Sequence, residues 1–290
     1  MPKNQTFGNT MVFEKHPDVA LVYRLFSKGR LIEPQREFAT DRLRTEFETA
    51  ASAKGVKLCA DGDSWINILW PMSSAFGHEK TFFDVLEESY FSNSAAWPGD
   101  TFEEILQEKD YLTLIRSGIY DFFIFSGGGN DVLGGSALVK LLKRKDAGGN
   151  SSDPTKYLNN SDVERVLSSI KAGYLNISND VKEQSKKTMM FVHGYDYPVP
   201  VKGEPWLAKP FEKRGYDLQV DKVLISDILG NLVDRFYSTL GQVADNAENV
   251  KVINLRGIVN GRWNDELHPK KEASEDIALE YIKVIGPVMA

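Results

Sequence analysis

The sequence predicts an α/β protein in which a parallel sheet carries helices on both faces. Predicted strands alternate with predicted helices along nearly the whole chain, and this alternation is typical of such sheets. The apolar run Phe122–Phe125 has the composition of a central strand that is buried on both faces. Because no internal repeat and no linker marks a second domain, we expect one domain over residues 1–290.

The first half of the chain is predicted to hold three strands and three helices. Residues 1–34 lack clear periodicity, and their aromatic side chains predict an N-terminal extension packed on the domain. Apolar runs predict strands over 56–60, 90–97 and 120–126. Amphipathic patterns predict helices over 36–53, 81–88 and 102–116, where Gly55 ends the first and Asp100 or Thr101 caps the last.

The second half is predicted to continue the same alternation. Strands are predicted over 188–193 and 250–255, and helices over 138–145, 161–186, 222–246 and 273–285. Residues 146–157, which are polar and rich in glycine and serine, predict a mobile loop. Residues 194–215, which contain four prolines, predict a second long loop.

Composition excludes several classes of function. The formal net charge of −6 does not favour a nucleic-acid partner or an anionic membrane surface. The single cysteine, Cys59, excludes an internal disulfide and a cysteine zinc site. No apolar run has the length of a membrane span and no signal-peptide core follows Met1, so we expect a soluble protein, cytoplasmic if this is the full-length chain.

A glycine run at 127–129 follows the central predicted strand but does not fit a nucleotide-binding loop. The dinucleotide fingerprint requires glycine or alanine at position 132, where Val132 stands. The phosphate-binding loop requires lysine at position 135, which is Gly135. The run therefore predicts a close turn that places Asn130 at a strand end, where its amide could donate to an oxyanion.

Two further positions carry candidate chemistry. Ser64 lies in a polar turn just past a predicted strand, at the sheet edge where α/β proteins bind ligands. Asp265 and His268 are three residues apart and share a face if their turn is helical. The pair could orient an imidazole toward a serine, present two metal ligands, or start a helix with an incidental histidine.

Four motifs in order resemble those of the SGNH hydrolase superfamily, also called GDSL-type esterases and lipases. They are Gly62-Asp63-Ser64, Pro98-Gly99-Asp100-Thr101, Gly128-Gly129-Asn130-Asp131 and Asp265-x-x-His268-Pro269. The resemblance covers residues 56–286. It implies a flavodoxin-like three-layer α/β/α sandwich with a five-stranded parallel sheet.

The resemblance also implies roles for five residues. Ser64 matches the nucleophile, and its own N–H is one oxyanion donor. The backbone N–H of Gly99 and the side chain of Asn130 match the other two donors. His268 matches the general base, and Asp265 matches the residue that orients it. Asp63 belongs to the first motif and is expected to be structural.

The sequence thus predicts a serine esterase that forms an acyl-serine, without a metal or organic cofactor. Expected substrates are small-molecule, lipid or acylated-carbohydrate esters. One alternative is an O-acyltransferase that delivers the acyl group to a sugar hydroxyl with the same site. Two others are a metal-dependent phosphoesterase using Asp63, Asn130 and His268, and a non-catalytic binding module.

Other residues near the predicted strand ends have more than one interpretation. His193 is expected on the rim of the site, in loop packing or substrate contact, with catalysis as the lesser alternative. Arg256 and Arg262 could hold an anionic group, but structural pairing is the default. A sugar or acyl platform, or partly buried packing, would explain five tryptophans: Trp65, Trp70, Trp97, Trp206 and Trp263.

Overall fold

In a computed structural model of the chain, the structure describes residues 4–7, 11–15, 23–27, 30–31, 55–69, 74 and 77–288. The predicted helix over 36–53 lies outside the described residues. In the N-terminal region, four strands form an antiparallel sheet in chain order: β1 Asn4–Phe7, β2 Met11–Lys15, β3 Tyr23–Ser27 and β4 Arg30–Leu31. Strands of two to five residues are too short to produce clear periodicity, so the sequence did not predict this sheet.

The second sheet has five strands, all parallel, as predicted. They are β5 Lys57–Gly62, β6 Phe91–Ser94, β7 Phe122–Ser126, β8 Met189–His193 and β9 Val250–Ile253. Their order is β6-β5-β7-β8-β9, so the chain reverses its direction of travel beside β5. In open α/β sheets, such a reversal opens a crevice at the carboxyl ends of the strands.

Helices cover both faces of this sheet and give the flavodoxin-like three-layer sandwich. They are α1 Phe82–Leu86, α2 Phe102–Glu108, α3 Tyr111–Ile115, α4 Gly129–Val132, α5 Gly135–Leu141, α6 Asn160–Gln184, α7 Ala208–Lys213, α8 Lys222–Asn246 and α9 Lys271–Val288. Helix α1 packs against α9, whereas α6 packs against α3 and α8 in the other layer. None of the helices in the described part of the chain is long and apolar enough to cross a membrane.

Predictions about several single elements need correction. The strand predicted over 90–97 ends at Ser94, and the helix predicted over 138–145 is α5, which ends at Leu141 because the backbone of Leu142 is extended. The helix predicted over 102–116 is two helices, because Lys109 has a φ of 52° that ends the first. The loop predicted over 194–215 contains helix α7. The loop predicted over 146–157 contains turns of 3₁₀ helix at Lys145–Gly148 and Pro154–Tyr157, and the Tyr157 ring is buried against Gly148.

The core lies on both faces of β7. The side chains of Phe122, Phe123, Ile124 and Phe125 are all buried, and Phe122 stacks on Phe191 of β8. Burying one such side chain contributes about 1.5–3 kcal/mol, so this strand fixes the neighbours on either side of it. In the register of β5 with β7, Gly62 lies opposite Ser126, and the turns that follow both strands meet at one sheet edge.

Candidate active site

Ser64 lies on a turn that a close backbone contact shapes. Gly62 has a φ of 145°, and a Cβ atom there would lie 1.9 Å from the Ser126 carbonyl oxygen, so only glycine fits. The N–H of Asp63 then donates to that carbonyl at 3.0 Å. The turn after β5 is thereby fixed to the end of β7, and Ser64 follows it directly. Residues 61–65 are called the nucleophile turn below.

Asp63 is buried and serves as an acceptor for the groups around it. Its Oδ1 accepts the Trp65 N–H at 3.0 Å and the Ser126 hydroxyl at 3.1 Å, and its Oδ2 accepts the Tyr195 hydroxyl. Burial raises the pKa of Asp63 to about 6, against the hydrogen bonds and the charge of His268, which lower it. Each carboxylate oxygen of Asp63 therefore already accepts from a protein donor, as the structural role expected from the sequence requires.

Asp265 and His268 meet Ser64 in a single chain of hydrogen bonds. His268 Nδ1 lies 2.7 Å from Asp265 Oδ2, and His268 Nε2 lies 2.8 Å from Ser64 Oγ. A carboxylate can only accept, so Nδ1 carries the proton and Nε2 is free to accept the serine proton. The spacing of Asp265 and His268 predicted a shared face only for a helical turn, but the segment is not helical. Asp265 Oδ1 instead accepts the N–H groups of Leu267 and His268, both at 2.8 Å. Residues 264–268 are called the base turn below.

The charge on Asp265 is stabilised inside this turn. Burial alone would raise its pKa, but hydrogen bonds from His268, Leu267 N–H and His268 N–H, together with the imidazole charge, hold the pKa below its usual value. The base turn is also tied to the nucleophile turn, because Trp65 Nε1 donates to the Leu267 carbonyl at 3.0 Å. The His268 imidazole is therefore positioned by Asp265 within its own turn and by the contact of Trp65 with Leu267.

Hydrogen bonds join the turn that contains Gly99 to helix α4, which contains Asn130. Gly99, with a φ of 84°, follows β6 in a turn that the sequence predicted. Asn130 Nδ2 donates to the Asp100 carbonyl at 2.8 Å, and Asp131 Oδ2 accepts the Phe102 N–H at 2.9 Å. One N–H of the Asn130 amide remains available for a ligand. Among the described residues, the N–H groups of Ser64 and Gly99 donate to no other group.

Two clefts open beside Ser64. The first has a volume of about 330 Å³ and an apolar wall built by Leu133, Pro198, Trp263 and Leu267, with Asn130 at its side. The second, of about 310 Å³, lies on the His268 side, and polar residues line it together with apolar ones: Glu79, Lys80, Thr81 and Asn264 beside Ile68, Phe82 and Ile277. Within the described ranges, no group of three or more histidine, cysteine or acidic side chains could hold a metal ion.

Glu266 was not predicted to have a role, yet it organises one wall of the site. Its buried carboxylate accepts four backbone N–H groups at 2.7–3.0 Å, all from residues 201–208. This carboxylate anchors the loop before α7 to the base turn. No local pattern marks Glu266, because its partners lie 58 to 65 residues away in sequence.

The remaining candidates fall into packing and pairing roles. His193 is buried between Trp65 and Phe82, its Nδ1 lies 2.7 Å from the Gly194 carbonyl, and burial lowers its pKa to about 4. Arg256 pairs with Asp234 and Arg262 with Asp276, each at 2.7 Å. Of the tryptophans, Trp65 and Trp263 line the first cleft, Trp97 is buried, Trp206 is 41% exposed, and Trp70 lies outside the described residues.

Solved structures provide the comparison that decides the fold. An extracellular lipase from Streptomyces rimosus matches with a TM-score of 0.51 at 14% identity, over 79% of this chain and 99% of that chain. A phospholipase A1 from Streptomyces albidoflavus matches with a TM-score of 0.50 at 15% identity, over 81% of this chain and 99% of that chain. The chain has the fold of these two proteins. No protein-family model and no curated protein matches the sequence. This fold places the nucleophile turn and the Gly99 and Asn130 segments at the carboxyl ends of adjacent strands, with the base turn reaching across from β9.

Proposed function

We propose that the protein is a serine esterase that hydrolyses a carboxylic ester through an acyl-serine. The observation that carries the proposal is the continuous chain Asp265–His268–Ser64, with contacts of 2.7 and 2.8 Å. This is the arrangement in which a histidine can take the serine proton while a carboxylate holds its tautomer. The fold of the two solved lipolytic proteins supports the same reaction class.

In the first half of the reaction, Ser64 Oγ attacks the ester carbonyl carbon as its proton passes to His268 Nε2. The carbonyl oxygen becomes an oxyanion, which accepts the N–H groups of Ser64 and Gly99 and the free N–H of Asn130. The imidazolium is stabilised by Asp265. When the tetrahedral intermediate collapses, His268 gives its proton to the departing alcohol oxygen and the acyl group stays on Ser64.

In the second half, a water molecule takes the place of the alcohol. His268 accepts one proton of the water as its oxygen attacks the acyl carbon, and a second oxyanion forms in the same position. Collapse breaks the bond to Ser64 Oγ, which recovers the proton from His268. The products are a carboxylic acid and the free enzyme.

The two clefts suggest which part of the ester lies where. The first cleft contains Asn130 and an apolar wall, so it suits the acyl group. The second contains His268, which must reach the leaving oxygen, and it combines polar side chains with apolar ones, so it suits an alcohol that carries hydroxyl groups on a carbon framework, such as a polyol or sugar. The preferred substrate is then an apolar acyl ester of a polar alcohol.

The test combines one variant with an ester panel. Ser64→Ala should abolish ester hydrolysis and labelling by a fluorophosphonate, since no other group replaces the attacking oxygen. A panel that varies acyl length and alcohol polarity separately should give the highest kcat/KM for apolar acyl groups on polyol or sugar esters. Adding a sugar acceptor separates hydrolysis, which releases the free acid, from acyl transfer. Labelling that persists in Ser64→Ala would place the nucleophile elsewhere.

A further inference from the structure

One buried hydroxyl connects the turn that carries the nucleophile to the turn that carries the amide donor. Tyr195 lies two residues past the end of β8, and its hydroxyl contacts both Asp63 and Gly129. It donates to Asp63 Oδ2 and accepts the Gly129 N–H at 2.8 Å. Asp63 immediately precedes Ser64, and Gly129 immediately precedes Asn130. The hydroxyl thus contacts the residue that directly precedes Ser64 and the residue that directly precedes Asn130.

The fit around this hydroxyl is close enough to fix its place. A Cβ atom on Gly129 would lie 2.4 Å from the Tyr195 ring, so the ring occupies the space that a side chain there would need. The other side of the ring packs edge-on against Trp65, with centroids 5.2 Å apart. Trp65 in turn binds the Leu267 carbonyl of the base turn. Tyr195 therefore contacts the nucleophile turn and the Gly129–Asn130 segment directly, and it reaches the base turn through Trp65.

Chemistry sets the direction of both hydrogen bonds. Ionised Asp63 can only accept, so the single hydroxyl proton of Tyr195 points to Asp63. The lone pairs of the hydroxyl oxygen are then left to accept the Gly129 N–H. Burial raises the pKa of Tyr195 well above its usual value, so the hydroxyl keeps its proton. A phenylalanine ring would preserve the packing but leave both Asp63 and the Gly129 N–H without this partner.

We propose that Tyr195 is a positioning residue for the reaction, one that sets the spacing between Ser64 and the Asn130 amide. The inference rests on the proposed esterase function, because the spacing matters only if both groups act on one tetrahedral intermediate. A displacement of about 1 Å in such a site can cost ~10²-fold in rate. Tyr195 also lines the first cleft, but its hydroxyl is bound to two internal partners, Asp63 and Gly129.

The test is Tyr195→Phe, measured with the preferred ester. We expect kcat to fall by about 10- to 100-fold while KM stays within about twofold, since the loss falls on the transition state. The matched control is Tyr111→Phe, which removes another buried tyrosine hydroxyl bound to a carboxylate, Asp180 at 2.6 Å, in helix α3. The control should lower stability and leave kcat unchanged.

Two further measurements test the hydrogen-bonded bridge Asp63–Tyr195–Gly129 itself. Amide hydrogen exchange at Gly129 should accelerate in Tyr195→Phe and stay unchanged in Tyr111→Phe. Asp63→Asn attacks the same bridge from its other end and carries the test alone if Tyr195→Phe does not fold. The double variant should be no slower than the slower single variant, because both substitutions break one connection.

The inference is overturned if Tyr195→Phe keeps kcat within threefold of the wild type, or if its Gly129 exchange is unchanged. A fall in the unfolding midpoint with native kcat would assign Tyr195 to packing alone. Failure of the esterase proposal has a different signature. In that case the wild-type protein shows no hydrolysis that depends on Ser64, whereas the Gly129 exchange still reports whether the bridge exists.

Discussion

The nucleophile turn and the base turn each contain an aspartate beside the reacting groups, and the two aspartates are held in opposite ways. Asp63 is buried, bound by hydroxyl and amide donors, and has a pKa raised to about 6. Asp265 is partly exposed, bound to an imidazole, and has a pKa below its usual value. The comparison teaches that a position beside Ser64 and His268 does not make a carboxylate a partner of the imidazole. Contact with His268 Nδ1 does, and Asp265 alone has it among the described residues.

The largest expected effect separates the two aspartates by rate. Asp265→Asn should lower kcat by about 10⁴-fold, because an amide can donate to Nδ1 and so favour the wrong imidazole tautomer. Asp63→Asn should cost only about 10- to 100-fold, through the Tyr195 bridge. Both kcat values should be measured with one ester at saturating concentration. Equal losses in the two variants would break the distinction between the turns.

A second effect extends the comparison to the donor that faces the nucleophile turn. Asn130→Ala should lower kcat by ~10²–10³-fold, or about 2.7–4 kcal/mol, with little change in KM, because an oxyanion donor acts on developing charge. The loss should be smaller than that of Asp265→Asn, since two backbone donors remain. Asn130 lies inside α4 without capping it, so loss of a helix cap would not explain the result.

A native kcat for Asn130→Ala with a lowered denaturant midpoint would contradict this role. It would mean that the hydrogen bond from Asn130 to the Asp100 carbonyl is the only contribution of the side chain. Measuring kcat, KM and the midpoint on one preparation distinguishes the two outcomes.

The smallest effect tests the sign of the pH dependence of stability. The pKa of Asp63 is raised from 3.8 to about 6, so between these values the folded state binds more protons and gains stability as pH falls. The difference in unfolding free energy, wild type minus Asp63→Asn, should therefore rise by roughly 2–2.5 kcal/mol from pH 7 to pH 4. The pKa of Asp265 is lowered in the folded state, so the effect has the opposite sign. The difference in unfolding free energy, wild type minus Asp265→Asn, should fall as the pH drops below the ordinary pKa of an aspartate.

Denaturant unfolding of the three proteins across this pH range provides the measurement. Subtracting the unfolding free energy of each variant from that of the wild type cancels the titration of the other carboxylates, which both proteins contain. Slopes of the same sign for Asp63 and Asp265 would show that burial does not control the charge of Asp63.

The candidate site residues stood out in the sequence for two reasons. Ser64 and Asn130 come shortly after strongly apolar strands, and parallel strands bring such positions to one edge. His268 lies well past β9 and stood out through its spacing from Asp265. The predicted strand ends lay within about three residues of the observed ones. Local pattern also located the Gly99 turn, through its proline and glycine.

The residues that support the site could not be predicted in this way. Tyr195 contacts Asp63 across 132 positions, and Glu266 binds backbone groups 58 to 65 positions away. Nothing in a local window distinguishes them from ordinary buried residues. The break at Lys109 was missed for a different reason, since a lysine in a left-handed conformation has no compositional signal.

The anchoring of residues 201–208 by Glu266 has a consequence for anyone who exchanges loops to change specificity. Four backbone N–H groups converge on one carboxylate, and that carboxylate is the sequence neighbour of Asp265. A grafted loop that fails to present these donors would leave a bare charge buried against the base turn, at a cost of several kcal/mol. Successful grafts must copy the spacing of the donors at 201, 206, 207 and 208. The exposed side chains at 199, 201 and 206 can be changed, except that proline at 201 or 206 would remove a required N–H.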